Sequence, residues 1–213
     1  VYEAAKRYYA EIMMPFRSVV AKNLAKVGAL DFETIAPSHG PVYGKPAFIL
    51  DAYRDWVSPQ MHNEVVLPYV SMHGSTEAMV KHLIDALARH GIAVHVFDLT
   101  VTDIGKLAIA LVDAATLIVG TPTVHAGPHP AVFYASHLAN LLRPKVKYAA
   151  IVGSYGWSSK AIEQITELIP RLKVTTLGTV LQKGYPVAET FANLDVLAAA
   201  VAHAHREDEL VSG

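Results

Sequence analysis

Three stretches of this sequence combine residue types better suited to binding than to packing. Ser71-Met72-His73-Gly74-Ser75-Thr76 runs straight into a helical pattern. Backbone N–H groups at a helix start, three hydroxyls and a glycine that admits close approach make a cradle for a phosphate group. No lysine or arginine lies in this loop, so neutral donors would carry the recognition. The same residues also read as a plain helix start, with Ser75 or Thr76 as N-cap and Glu77 in the first turn. The second stretch is Gly120-Thr121-Pro122-Thr123-Val124-His125-Ala126-Gly127-Pro128-His129-Pro130, and its prolines and glycines predict a long rigid loop. Such a loop can aim N–H and C=O groups at the edge of a planar heteroaromatic ring, or it can be an ordinary connection. The third is Gly153-Ser154-Tyr155-Gly156-Trp157-Ser158-Ser159. Its aromatic pair could stack on a ring and exclude water, or anchor a core. Brought together, the three stretches describe a site for a phosphorylated planar ring.

The elements between them have to do the bringing together. From Glu64 onward, strand patterns at 65–70, 93–97, 115–119, 148–152 and 174–180 alternate with helix patterns at 76–90, 103–111, 131–141, 159–168 and 189–205. Met79, Val80, Leu83, Ile84 and Leu87 form one apolar stripe that Gly91 ends. Strict alternation of strand and helix predicts an α/β fold, a doubly wound five-stranded parallel sheet of flavodoxin-like order 2-1-3-4-5. That order places all three stretches at the carboxyl edge of the sheet, around its switch point. Pro68, inside an interior strand, predicts a local bulge. Residues 1–61 read differently, with helices over 2–14, 18–27 and 48–57, a short strand at 32–36, and Pro15 as a stop or kink. They are too few for an α/β core of their own and read as the end of something larger, ahead of a domain at 62–213.

Composition narrows the function classes. Of 213 residues, 52% are hydrophobic and 17% charged, against roughly 25% charged in an average globular chain, so a core is expected. A net charge of -1 gives no electrostatic case for nucleic acid or for a polybasic membrane anchor. The absence of cysteine removes disulfides, thiolate metal sites and a cysteine nucleophile from this chain. No apolar run approaches the roughly 18–20 residues of a membrane span. The first residues lack a charged start and an apolar block, so a cytoplasmic location is expected. The start at Val1 predicts a processed or truncated product.

Val70-Ser71-Met72-His73-Gly74-Ser75-Thr76-Glu77, Thr121-Pro122-Thr123 with Gly127-Pro128, and Ser154-Tyr155-Gly156-Trp157 resemble the FMN loops of type A flavoproteins, the flavodiiron proteins. Arg7-Tyr8-Tyr9-Ala10 and Ile35-Ala36-Pro37-Ser38-His39-Gly40-Pro41 are similar to the end of that family's metallo-β-lactamase-like domain. The resemblance covers essentially the whole chain. It implies an FMN-binding electron-transfer domain behind the tail of a di-iron domain. The residues implied for FMN are Ser71, Met72, His73, Gly74, Ser75, Thr76, Pro122, Thr123, Val124, His125, Gly127, Ser154, Tyr155, Gly156 and Trp157. The family commonly carries an aromatic residue at the position of His73 and an asparagine at that of His125. It also implies a reduced deazaflavin or rubredoxin as electron donor, O₂ or nitric oxide as acceptor, and a head-to-tail homodimer.

For metal, the resemblance matches His39 to an iron ligand, but no His-x-Glu-x-Asp-His pattern occurs here. His39 is therefore expected to stand as an orphaned ligand, since one histidine does not hold an iron pair. A hydrolytic metallo-β-lactamase-like enzyme fails on the same missing ligands. A signalling receiver needs acidic residues where the chain has Ser71, His73, Gly120 and Thr121. A nicotinamide-binding protein could use Asp98 at the end of strand two, but the first loop lacks the G-x-G-x-x-G spacing of a pyrophosphate cradle.

Overall fold

The computed structural model describes residues 1–210. Helix α1 (Tyr2–Tyr8) continues through one π-helical turn (Tyr9–Met13) and one 3₁₀ turn (Met14–Phe16) into α2 (Arg17–Val27). Pro15 therefore does not end the helix. Its missing N–H is absorbed where the hydrogen-bond ladder changes pitch. The strand expected at 32–36 is a single antiparallel bridge between Ile35 and Tyr43. Then come α3 (Pro46–Val57), β1 (His62–Tyr69), α4 (Ser75–Arg89), β2 (Ala93–Asp98), α5 (Ile104–Leu111) and β3 (Ala114–Val124). The two-residue β4 (Gly127–Pro128), α6 (Pro130–Leu142), β5 (Tyr148–Tyr155), α7 (Ala161–Leu168), β6 (Thr175–Lys183) and α8 (Ala188–Glu207) complete the chain.

The sheet order is β2-β1-β3-β5-β6, all parallel, with β4 folded back antiparallel on β3. Counting the parallel strands alone, this is 2-1-3-4-5. The bulge expected at Pro68 is not there. β1 keeps one register on β3 from Val65 to Tyr69, and the shift lies earlier, between His62 and Val65. Pro68 stays in register with Phe97 of β2, while the pairs to β3 skip Leu67 and Pro68. An interior strand thus accommodates proline by leaving a gap in one ladder, not by kinking.

Alternate strand residues feed two cores, as the two-residue repeat of a strand requires. Val65, Leu67, Ile118 and Val152 pack under α4 and α8, against Met79, Leu83, Leu87, Leu194 and Val201. Val66, Leu117, Val119 and Ile151 face the other way, onto Leu107 and Leu111 of α5 and Val132 of α6. Tyr9, Met14, Ile49 and Trp56 from the leading helices belong to this second core. The Tyr9 hydroxyl donates to the Trp56 carbonyl at 3.2 Å, and Trp56 Nε1 donates to the Tyr2 hydroxyl at 3.1 Å. Arg7 forks onto both oxygens of Asp103, and Lys6 pairs with Asp113. The first 61 residues contribute a layer to the flavodoxin-like sheet and share its core.

A buried histidine ties the far end of the sheet. His205, in the last turn of α8, sits 2.7 Å from Thr116 Oγ1 through Nε2 and 2.8 Å from Asn63 Oδ1 through Nδ1. Asn63 Nδ2 donates to the Gly91 carbonyl, so its oxygen is the atom left to accept from His205. Nδ1 then carries the proton, Nε2 accepts from Thr116, and the ring is neutral. Burial pushes its pKa below the ordinary 6.5. A depressed histidine pKa means the unfolded state binds the proton more readily. The contribution to stability is therefore complete above about 6.5 and is lost as pH falls below it. His95 is shifted upward by Glu64 and acts in the opposite sense. The expected outcome is a thermal midpoint that drops more steeply between neutral and acidic pH in the wild type than in His205→Gln. Parallel slopes in the two proteins would count against a neutral buried ring.

Candidate functional site

The carboxyl ends of β1, β3 and β5 meet at a cleft of about 330 Å³, within the roughly 300–1,000 Å³ usual for small-molecule sites. Ser71, Met72, His73, Ser75 and Thr76 line it from the β1–α4 loop. Pro122, Thr123 and Val124 line it from β3, and Ser154 and Tyr155 from the end of β5, with Gly156 just beyond. The three stretches singled out in the sequence therefore share one cavity. Gly184, just after β6, also lines it and was not foreseen. Its N–H donates to the Tyr155 carbonyl at 2.8 Å and its φ is +75°, which draws a fourth strand end to the rim. A glycine one residue beyond a strand was the available signal.

The first loop is built differently from a plain cap. Gly74, not Ser75 or Thr76, occupies the N-cap, with φ +81° and no side chain to cap anything. Ser71 reaches forward instead, its hydroxyl accepting the Glu77 N–H at 3.1 Å. Ser75 and Thr76 are the first helical residues, so their N–H groups have no partner within α4 and stand at the positive end of a 15-residue helix. The Thr76 hydroxyl, in a side chain 1% exposed, lies 3.1 Å from that of Ser154, 8% exposed. This contact joins the first loop to the third.

The second stretch is not the long loop the prolines predicted. Gly120, Thr121 and Pro122 continue β3 in register with Val152, Gly153 and Ser154 of β5. Val124 then pairs with Gly127, and Thr123 with Pro128, across a two-residue turn. That turn is His125-Ala126, with φ +49° and +65°. Both central residues are left-handed, the arrangement that suits a tight hairpin and that glycine or asparagine adopts most easily. The turn is held from the third loop. The Lys160 N–H donates to the Ala126 carbonyl at 2.6 Å, and the hydroxyls of Thr123 and Ser159 are 2.8 Å apart.

Four predicted residues, Gly74, His125, Gly127 and Trp157, do not line the cleft. His125 is exposed at the turn, and Gly127 is buried against Gln164 of α7, where a Cβ would strike the amide. Trp157 is 91% exposed, so it is not a core anchor. Gly74 is the hinge of the first loop, and neither it nor Gly156 has an atom within 4 Å of where a Cβ would stand. Asp98 builds a turn, its Oδ1 accepting from the Thr100 N–H at 2.9 Å and from the hydroxyl at 2.7 Å. That engagement gives Asp98 a place in the turn, and it does not line the cleft.

The lining carries no lysine, arginine, aspartate or glutamate. Glu77, one turn into α4, pairs with Lys81 at 2.6 Å. The free helix-start N–H groups, the hydroxyls of Ser71, Ser75 and Thr76, and the open space over Gly74 fit a phosphate monoester. Tyr155 and the unobstructed backbone at Gly156 fit a flat ring. No such fit exists for iron. His39 stands with its ring 5.5 Å from that of Tyr8, on a separate apolar groove of about 810 Å³. Among the described residues no three His, Cys, Asp or Glu side chains converge as metal ligands.

Comparison with known proteins agrees with this fold. The flavodoxin family model matches residues 67–206. A nitric oxide reductase of Moorella thermoacetica is 34% identical over 187 residues, covering 86% of this chain and 46% of that protein. A coenzyme F420H(2) oxidase of Methanothermobacter marburgensis is 28% identical, covering 78% and 43%. Among solved structures, rubredoxin oxygen:oxidoreductase of Desulfovibrio gigas superposes with a TM-score of 0.92 at 26% identity, over 99% of this chain and 54% of that one. The flavodiiron protein of Giardia intestinalis shares the fold, with a TM-score of 0.85 at 23% identity over 97% and 53%. The chain belongs to the flavodoxin family and, within it, groups with the type A flavoproteins, the flavodiiron proteins. It spans about half the length of the curated relatives it matches.

The hairpin turn yields a direct test. Alanine in the left-handed region costs about 1 kcal/mol that glycine avoids, offset in part by the flexibility glycine adds to the unfolded chain. Ala126→Gly is expected to raise stability by roughly 0.5 kcal/mol in urea unfolding. A loss of stability would mean that the turn is not left-handed at Ala126.

Proposed function

We propose that this chain is the FMN-binding, electron-transfer part of a flavodiiron oxidoreductase, with residues 62–213 as the flavin domain and 1–61 as the end of a metallo-β-lactamase-like domain. Residues 211–213 lie outside the described residues. One observation carries the reading: a cleft lined by no lysine, arginine, aspartate or glutamate, set between the free first N–H groups of α4 and the aromatic segment of Tyr155 and Trp157. When bound, FMN supplies one- and two-electron transfer. The residues supply its placement. Ser71, Ser75, Thr76 and the first N–H groups of α4 hold the phosphate, with Gly74 leaving room for it. Thr123 and the hairpin carrying His125 and Gly127 set the backbone along the ring edge. Tyr155 and Trp157 offer aromatic surface to the ring and keep water from it.

For the whole protein, the reading is a soluble cytoplasmic homodimer, arranged head to tail. It takes electrons from a reduced carrier of the deazaflavin or rubredoxin type and delivers them to O₂ or nitric oxide. The printed names of the relatives support these kinds of donor and acceptor. The described residues offer His39 alone to a di-iron site, so no step through iron follows from this structure.

Titration with FMN tests the proposal. The expected result is one flavin bound per chain, with its fluorescence changed on binding and with riboflavin held more weakly. Thr76→Val keeps the shape but removes a hydroxyl from a charged ligand, and is expected to weaken FMN about tenfold. Trp157→Ala should weaken FMN and alter its quenching. A colourless protein that leaves the flavin signal unchanged at every concentration would end the flavin reading.

A further inference from the structure

The cleft presents an anion with an incomplete set of charges. A helix start is worth roughly half a positive charge, whereas a phosphate monoester carries about -1.5 to -2 near neutral pH. None of the lining side chains is a lysine or an arginine. His73 is the one lining residue of a type that can take up a positive charge as pH falls. It directly precedes Gly74, the N-cap of α4, so it borders the N–H groups assigned to the phosphate. Among the described residues it makes no ion pair and no side-chain hydrogen bond, and it is exposed at the rim.

We propose that His73 is a specificity residue, supplying a switchable positive charge to the phosphate subsite. A phosphorylated flavin is then favoured over its unphosphorylated form most strongly when the imidazole is protonated. The inference rests on the reading of the cleft as an FMN site.

The surrounding charges leave this role to His73. On its own side, Glu77 is neutralised by Lys81, 2.6 Å away. From β5, Tyr155 is the facing titratable group, and it is a phenol. Lys183 at the end of β6 and Tyr185 just beyond it flank Gly184 without lining the cleft. On the hairpin, His125 sits on the exposed turn, away from the cleft lining. Protonated His73 can donate a charge-assisted hydrogen bond to a phosphate oxygen, and the neutral ring donates a weaker one.

The test measures dissociation constants for FMN and for riboflavin by flavin fluorescence, at about pH 6 and about pH 8.5, in the full chain. Wild type is compared with His73→Gln, His73→Asn and His125→Gln. The phosphate of FMN ionises near pH 6 itself, but equally in every variant, so the difference between proteins isolates the side chain. At the lower pH the FMN-to-riboflavin preference is expected to be roughly fivefold greater in wild type than in either His73 variant, and to shrink at high salt. At the higher pH the proteins should agree within about twofold. Unchanged riboflavin affinity certifies that the variants fold. A preference in His73→Gln and His73→Asn that follows pH as in wild type would overturn the inference, as would its loss in His125→Gln alone. Failure of every protein to bind FMN at either pH would instead remove the flavin reading, and this inference with it.

Discussion

The site depends on where the sheet reverses its winding. β1 and β3 lie side by side, yet the helices that follow them cover opposite faces, α4 with α8 and α6 with α5. Two connections that leave neighbouring strands in opposite directions cannot fill the space between them, and a crevice results. Each face has its own buried core, so neither helix can change sides without exposing one. The crevice is therefore as stable as the fold.

What lines the crevice follows from this divergence. The start of α4 brings free N–H groups to one wall, and buried hydroxyls of Thr76 and Ser154 bind that wall to β5. On the other wall, β3 overruns the sheet and turns back at once, its turn held by Lys160 and Ser159. The strands thus project rigid, mostly uncharged backbone toward a ligand. Such a surface offers mainly dipoles and shape, which suit a phosphorylated ring better than a cation or a nucleic acid.

The leading helices serve this arrangement from a distance. Tyr9, Met14 and Trp56 close the core beneath α5 and α6, and Arg7 and Lys6 fasten to Asp103 and Asp113. They also carry His39, away from the cleft and on a different groove. The cleft at the strand ends and the groove that holds His39 are thus separate parts of this surface.

Local pattern in the sequence was enough for the alternation of strands and helices, the 2-1-3-4-5 order and the three rim segments, because hydrophobic period and helix starts are short-range properties. It misread the residues whose local signals conflict with their neighbours. Pro68 and Pro122 look like strand breakers, but each keeps its register on one parallel neighbour, Pro68 on β2 and Pro122 on β5. Ser75 and Thr76 look like caps, but Gly74 takes the N-cap and Ser71 the capping bond. Gly127 looks like a ligand contact and is a packing glycine under Gln164. Gly184 enters the cleft from a strand that is distant in sequence. Such assignments turn on which atoms arrive from elsewhere in the chain, and that is decided only when the sheet is assembled.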